Sequence, residues 1–170
     1  MKRLIKFVTV SAAILVGCVV VAHGLNAQRS PAFLINDSGS GVSGDDPWSP
    51  GDLMQPEELA RSLSGQQKPA MLQVGIVHLY KMSHIPGSKF AGPANEAGGI
   101  AELKKQAQGM NRNREVVCYC GCCPWANCPN MRPAYLALRD MGFKKIKLLY
   151  LEHSFGEDWV TKGYPVEKGS

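Results

Sequence analysis

The stretch Glu115-Val116-Val117-Cys118-Tyr119 limits the possible folds more than any other part of the sequence. It is dominated by β-formers and runs straight into Cys120-Gly121. From Met131 to Met141 the pattern turns helical, with Leu136 and Leu138 inside it and Gly142 closing it. A strand that hands over to a helix through one loop is the building unit of an α/β domain with a parallel sheet. The chain repeats this alternation from Asp52 onward. Gln55-Pro56-Glu57-Glu58-Leu59-Ala60 predicts a helix start, with proline in the first turn and two acids at the positive helix end, and the helix is expected to end near Gly65. Ala70 to Gly75 predicts a buried strand. A turn at His84-Ile85-Pro86-Gly87-Ser88 follows, then a short strand around Lys89 to Ala91. Ile100 to Gln108 predicts a helix with Ile100, Leu103 and Ala107 on one face, and Ile146 to Leu151 a further strand. A final turn or helix holds Trp159, and Gly163-Tyr164-Pro165 closes the domain. The expected fold class is α/β, with a mainly parallel central sheet flanked by helices.

The first 27 residues have a different character. Lys2, Arg3 and Lys6 form a positive head, Phe7 to Ala22 is an uncharged apolar run, and small residues follow at Ala22-His23-Gly24 and Leu25-Asn26-Ala27. This is the pattern of an export signal. Three outcomes fit it: cleavage after Gly24 or Ala27, retention as a membrane anchor, or lipidation of Cys18, because Leu15-Val16-Gly17-Cys18 resembles the bacterial lipobox. Each of them puts the remaining chain outside the cytoplasm, in the periplasm or anchored at its membrane. Residues 28–51 are rich in Gly, Ser, Asn and Asp and are expected to be a disordered linker, with Trp48 as a candidate docking residue. The domain proper is then 52–168. The whole chain is 45% hydrophobic and 19% charged, which is enough apolar material for a buried core. Its net charge of +5 owes three units to the N-terminal head, and the rest has 16 basic against 14 acidic side chains. That balance, with no basic run interleaved with aromatics, argues against a nucleic-acid partner.

Five of the six cysteines, Cys118, Cys120, Cys122, Cys123 and Cys128, fall in one stretch. A disulfide framework spreads its pairs over a fold, whereas this clustering suits a chemical site. In a parallel α/β sheet, ligands bind beyond the carboxyl ends of the strands. Cys120 lies at such an end, ahead of a helix whose N-terminus favours a thiolate. Backbone N–H groups of the loop are suited to hold an anion or a persulfide sulfur. Cys118, two residues back on the strand, is expected to be a core residue.

The order of these features resembles the rhodanese-like family. His84-Ile85-Pro86-Gly87-Ser88 is similar to the family's His-Ile-Pro-Gly-Ala turn. Val116-Val117-Cys118-Tyr119-Cys120 is similar to its cysteine-bearing strand, and Met141-Gly142-Phe143 to its Ala-Gly-Phe. Trp159 with Gly163-Tyr164-Pro165-Val166 is similar to its closing motif. The resemblance covers roughly Asp52 to Glu167 and implies a three-layer domain. It also implies a sulfurtransferase in which Cys120 takes sulfane sulfur from a donor, holds it as a persulfide and passes it to a nucleophile. The implied partners are a small sulfur donor or a persulfidated protein. Two departures stand out. Gln73-Val74-Gly75 replaces the family's Asp-Val-Arg, and the loop Cys120–Arg132 is longer than usual. Gly121, Cys122, Cys123 and Trp125 are its candidate substrate contacts, and Arg132 the candidate anion contact. A cysteine phosphatase or arsenate reductase is excluded, because it needs an arginine at position 126, which is alanine.

Several roles remain open for the extra thiols. Cys122, Cys123 and Cys128 suit a disulfide or a resolving function toward Cys120. They also suit packing alone, or Zn²⁺ or Cu⁺ binding, although Cys-x-Cys-Cys-x₄-Cys is not a standard zinc spacing. The sulfurtransferase reading itself needs no cofactor. A non-catalytic module that binds metal or exchanges disulfides through this loop is the alternative. Trp125 fits a packing role more commonly than a substrate platform, and His84 fits a backbone hydrogen bond in its turn.

Overall fold

Strand β4 (Glu115–Tyr119) is buried along nearly its whole length, and its alternate side chains enter two separate cores. Val116 and Cys118 join Leu72, Ile146 and Leu148 on one face; Val117 and Tyr119 join Met71 and Leu149 on the other. This is the period-two alternation of a strand covered on both sides. The computed structural model describes residues 44–169. The export segment 1–27, Cys18 and most of the linker 28–51 lie outside the described residues. Among the described residues, no helix is long and apolar enough to cross a membrane.

The sheet has five parallel strands in the order β1-β5-β4-β2-β3, with β1 Leu53–Met54, β2 Ala70–Gln73, β3 Lys89–Phe90 and β5 Lys145–Leu149. Helices α3 (Ala97–Ala107) and α4 (Met131–Asp140) supply Leu103, Ala134 and Leu138 to the first core. Helix α1 (Pro56–Ser62) and a π-helical turn at Gly156–Val160, with Phe155 just before it, supply Leu59, Phe155 and Trp159 to the second. The result is the expected three-layer α/β arrangement. Helix α2 (Val77–Met82) and strand β1 were not expected from the pattern. Two-residue strands carry no periodicity, and β1 exists because β5 offers it a ladder, Leu53 pairing with Leu148 and Met54 with Leu149.

The linker expectation needs correction at its C-terminal end. Trp48 is 8% exposed and packs edge-on against Trp125 and Tyr135, each with ring centroids 5.7 Å away. Asp52 accepts hydrogen bonds from Ser49 N, Ser49 Oγ and Tyr135 Oη, and Arg139 donates to Pro47 O. Residues 44–51 therefore belong to the packed domain. Burial of one large aromatic outweighs the turn-forming composition around it.

The turn at His84–Ser88 behaves as its motif suggests. His84 Nδ1 lies 2.8 Å from Tyr80 O, and its ring stacks on Tyr80 at 4.0 Å. The buried Tyr119 hydroxyl receives the Ile85 N–H at 3.1 Å and lies 2.8 Å from Ser88 Oγ. This network ties the turn to the carboxyl end of β4, where the cysteine cluster begins.

Candidate active site

Cys120 is the first residue beyond the central strand β4 and is 4% exposed. Three neighbours fix its backbone. Gln73, at the end of the adjacent strand β2, donates Nε2 to Cys120 O at 3.1 Å. Gly75 leaves the space that the sulfur occupies, since a Cβ there would lie 2.9 Å from Cys120 Sγ. Gly121 turns the chain with φ of +72°, and a Cβ on it would sit 2.5 Å from Phe155 Cβ, so only glycine fits without displacing that ring.

The loop then doubles back through a 3₁₀ turn at Trp125–Asn127, pinned by Trp125 N donating to Glu152 O at 3.1 Å. Trp125 packs on Trp48 and Tyr150, which makes it a packing residue closing the loop. Asn130, immediately before α4, is 3% exposed. Its Oδ1 accepts Asn95 N at 2.9 Å, which leaves Nδ2 to point at Cys120 Sγ (3.3 Å) and Cys122 Sγ (3.8 Å). Cys120 Sγ lies 3.0 Å from Cys122 Sγ, and Cys122 Sγ 3.1 Å from Cys123 Sγ. The sulfurs of Cys120, Cys122 and Cys128 all lie within 4.8 Å of one another. Every described cysteine is a free thiol.

Cys122 is drawn down to about 5, because Cys120 donates a hydrogen bond to it, with further donation from Cys123, Cys128 and Asn130; burial opposes this. Cys128 is also lowered, by Cys120 first and by the backbone N–H groups of Asn130 and Met131 at the start of α4. Cys120 is pushed up by its bonds to Cys122 and Cys128 and by burial. Burial, and then Cys122, pushes Cys123 up. The four thiols titrate together, a proton on one sulfur stabilising negative charge on the next. Four sulfurs this close cannot all ionise at once. Cys118 is fully buried in the first core and pushed up to about 12 by that burial alone, as a packing residue should be.

Two cavities meet at Cys120. One, of about 10 Å³, lies among Cys120, Cys123, Trp125, Cys128, Met131 and Leu149 and suits a single atom. The other, of about 240 Å³, opens outward past Leu79, Met82, Phe155 and Val160 and reaches Cys120 and Gly121. Gln73 Oε1 and Ser83 Oγ, on residues lining this second cavity, are buried without a hydrogen-bond partner. Neither cavity is lined by a lysine or arginine. Arg132, the expected anion contact, instead donates to Asp45 O at 2.7 Å and pairs with Asp46, over the Trp48 ring. The ordered segment before β1 draws it there.

The structure thus brings Cys120, Gly121, Cys122, Cys123 and Cys128 together with Trp125, which lines the small cavity while packing on Trp48, and gives Arg132 another task. Sequence reading missed Asn130 and Asn95, and counted Gln73 and Gly75 only as losses. Asn130 carried one usable signal, since asparagine after Pro129 and just before an apolar helical run is a favoured helix-start residue.

A model of the rhodanese-like domain matches residues 55–154. No curated protein matches the chain. Among solved structures, the Alr3790 protein from Anabaena sp. is similar, with 22% identity, a TM-score of 0.52, and coverage of 68% of this chain and 92% of that one. The BH2092 protein from Bacillus halodurans has 17% identity and a TM-score of 0.53, covering 68% and 75%. A thiosulfate sulfurtransferase from Pseudomonas aeruginosa has 24% identity and a TM-score of 0.50; the match covers 69% of this chain and 19% of that longer one.

Proposed function

The chain belongs to the rhodanese-like domain family, and from that premise we propose that it is a sulfurtransferase carrying sulfane sulfur on Cys120. The observation that supports this most is the position of Cys120 Sγ. It stands beyond the central strand, with a one-atom cavity on one side and an open apolar pocket on the other. The pocket admits a donor, and the small cavity is the right size for one held sulfur.

With thiosulfate as donor, Cys120 Sγ attacks the outer sulfur. A new S–S bond forms, the sulfur–sulfur bond of the donor breaks, and sulfite leaves with the bonding electron pair. Cys122 Sγ, 3.0 Å away, is the group placed to take the Cys120 proton as the attack proceeds. The Asn130 amide then donates to the persulfide in place of the thiol. In the second half-reaction an acceptor such as a thiolate or cyanide attacks the outer persulfide sulfur, and Cys120 leaves as the thiolate and recovers its proton. A polysulfide or a protein persulfide enters by the same steps with a thiolate as leaving group. We place this chemistry outside the cytoplasm, as the N-terminal export pattern suggests.

The test is to incubate the reduced, full-length chain with thiosulfate and weigh the intact protein and its Cys120 peptide. A gain of about 32 mass units on Cys120, removed by cyanide or a thiol, is expected. A folded chain that gains no sulfur from thiosulfate or from polysulfide refutes the proposal.

A further inference from the structure

The thiol cluster has more sulfur than a persulfide carrier needs. We propose that Cys120, Cys122 and Cys128 form a three-thiolate site for one soft monovalent cation, copper(I). Their three sulfurs lie within 4.8 Å of one another. Three sulfurs arranged in a plane around one ion, at a metal–sulfur distance of about 2.3 Å, stand about 4 Å apart. The site therefore already has the right scale, and the 3.0 Å pair Cys120–Cys122 has to open. The adjacent cavity of about 10 Å³, lined by Met131, Leu149 and Leu151, provides room for that adjustment.

The donor set selects the ion. The cluster consists of sulfur, with no histidine or carboxylate among its members. Soft thiolates with three-fold coordination suit copper(I). Structural zinc takes four ligands, and the fourth thiol stands outside the triad. Cys123 Sγ lies 3.1 Å from Cys122 Sγ and interacts with Cys128, but it is not one of the three sulfurs within 4.8 Å of one another and it also faces Asn127 O at 3.8 Å. The surroundings compensate the charge that three thiolates bring. Asn130 Nδ2 reaches two of the sulfurs, and the N-terminal end of α4 offers the N–H groups of Asn130 and Met131 to Cys128. Asn130 is itself held by Asn95, so the donor does not have to be ordered when the metal arrives. Each thiol that ligates gives its proton to solvent, and copper keeps its oxidation state, so no electron is transferred.

Copper and sulfane sulfur compete for Cys120, but the two proposals stand separately: sulfur loading is measured on metal-free chain, and metal binding without any sulfur donor. For the latter, the reduced full-length chain is titrated anaerobically with copper(I) in competition with a chromophoric copper(I) chelator. One copper per chain is expected, with a thiolate-to-copper charge-transfer band. Bound copper should shield Cys120, Cys122 and Cys128 from alkylation and leave Cys123 reactive. Cys122→Ser and Cys128→Ser should each weaken binding at least about tenfold, Asn130→Ala by roughly 10- to 100-fold, and Cys123→Ser by less than about threefold. Circular dichroism checks that each variant is folded. Failure of the wild-type chain to hold copper against the chelator overturns the proposal, as does undiminished binding by folded Cys122→Ser and Cys128→Ser. A preference for zinc that depends on Cys123 overturns it as well.

Discussion

Asn130→Asp separates the electrostatic role of this residue from its structural one. In the wild-type chain Asn130 Nδ2 points at Cys120 Sγ from 3.3 Å, while Oδ1 accepts Asn95 N at 2.9 Å. The aspartate keeps the shape and the bond to Asn95. It removes the donor and places a carboxylate against sulfurs that become negative during the reaction. A hydrogen bond to a charged group contributes about 1.5–3 kcal/mol. At 1.36 kcal/mol per factor of ten, sulfur loading of Cys120 should slow by roughly 10- to 150-fold, with charge repulsion adding to this. Asn130→Ala also loses the donor but adds no charge, so it should load faster than the aspartate variant. Its stability should be lower, because Asn95 N–H loses its acceptor at a cost of about 0.5–1.5 kcal/mol. The rates come from quenched-flow sampling and mass measurement of the Cys120 peptide, and the stabilities from urea unfolding. The two variants should therefore rank in opposite orders in the two assays. Loading by Asn130→Asp at the wild-type rate, or rates that simply follow stability, would refute the reasoning.

Gly75→Ala should destabilise the fold by about 1–3 kcal/mol in urea unfolding, since its Cβ would meet Cys120 Sγ at 2.9 Å and Cys120 O at 3.1 Å. Trp48→Ala should cost about 3–5 kcal/mol, because the ring is buried against Trp125 and Tyr135; a cost near zero would return residues 44–51 to the linker. Cys118, pushed up to about 12 by burial, should resist alkylation in the folded chain at pH values where an ordinary thiol reacts, and label only on unfolding. The same shift predicts a pH effect on stability. The unfolded thiol ionises near about 8.5 while the folded one stays neutral, so the contribution is complete below that pH and declines as pH rises toward 12, as urea midpoints measured across that range would show.

The sequence by itself determined the strand–loop–helix unit around Cys120, the α/β alternation, and the family to which it belongs. Those features are local: β-formers in Val116–Tyr119, helical spacing in α4, and glycine and proline at the turns. Burial of Cys118 followed from the same alternation, because one face of a central strand has to be core. The tertiary structure alone decided which groups surround the sulfur. Gln73 and Gly75 come from the neighbouring strand, and Asn95 reaches Asn130 from a distant loop. Each of these contacts exists only once β2, β4 and α4 are assembled. Arg132 was the expected anion contact although its spacing departs from the family's, and Asp46 and Trp48, far back in the chain, hold it on the entry segment. The shared titration of the four thiols has the same origin. It depends on distances between sulfurs of a few ångströms, and loop closure against Trp48, Glu152 and α4 sets them. Sequence spacing fixes how much chain separates two residues, but ionisation and coordination depend on their separation in space.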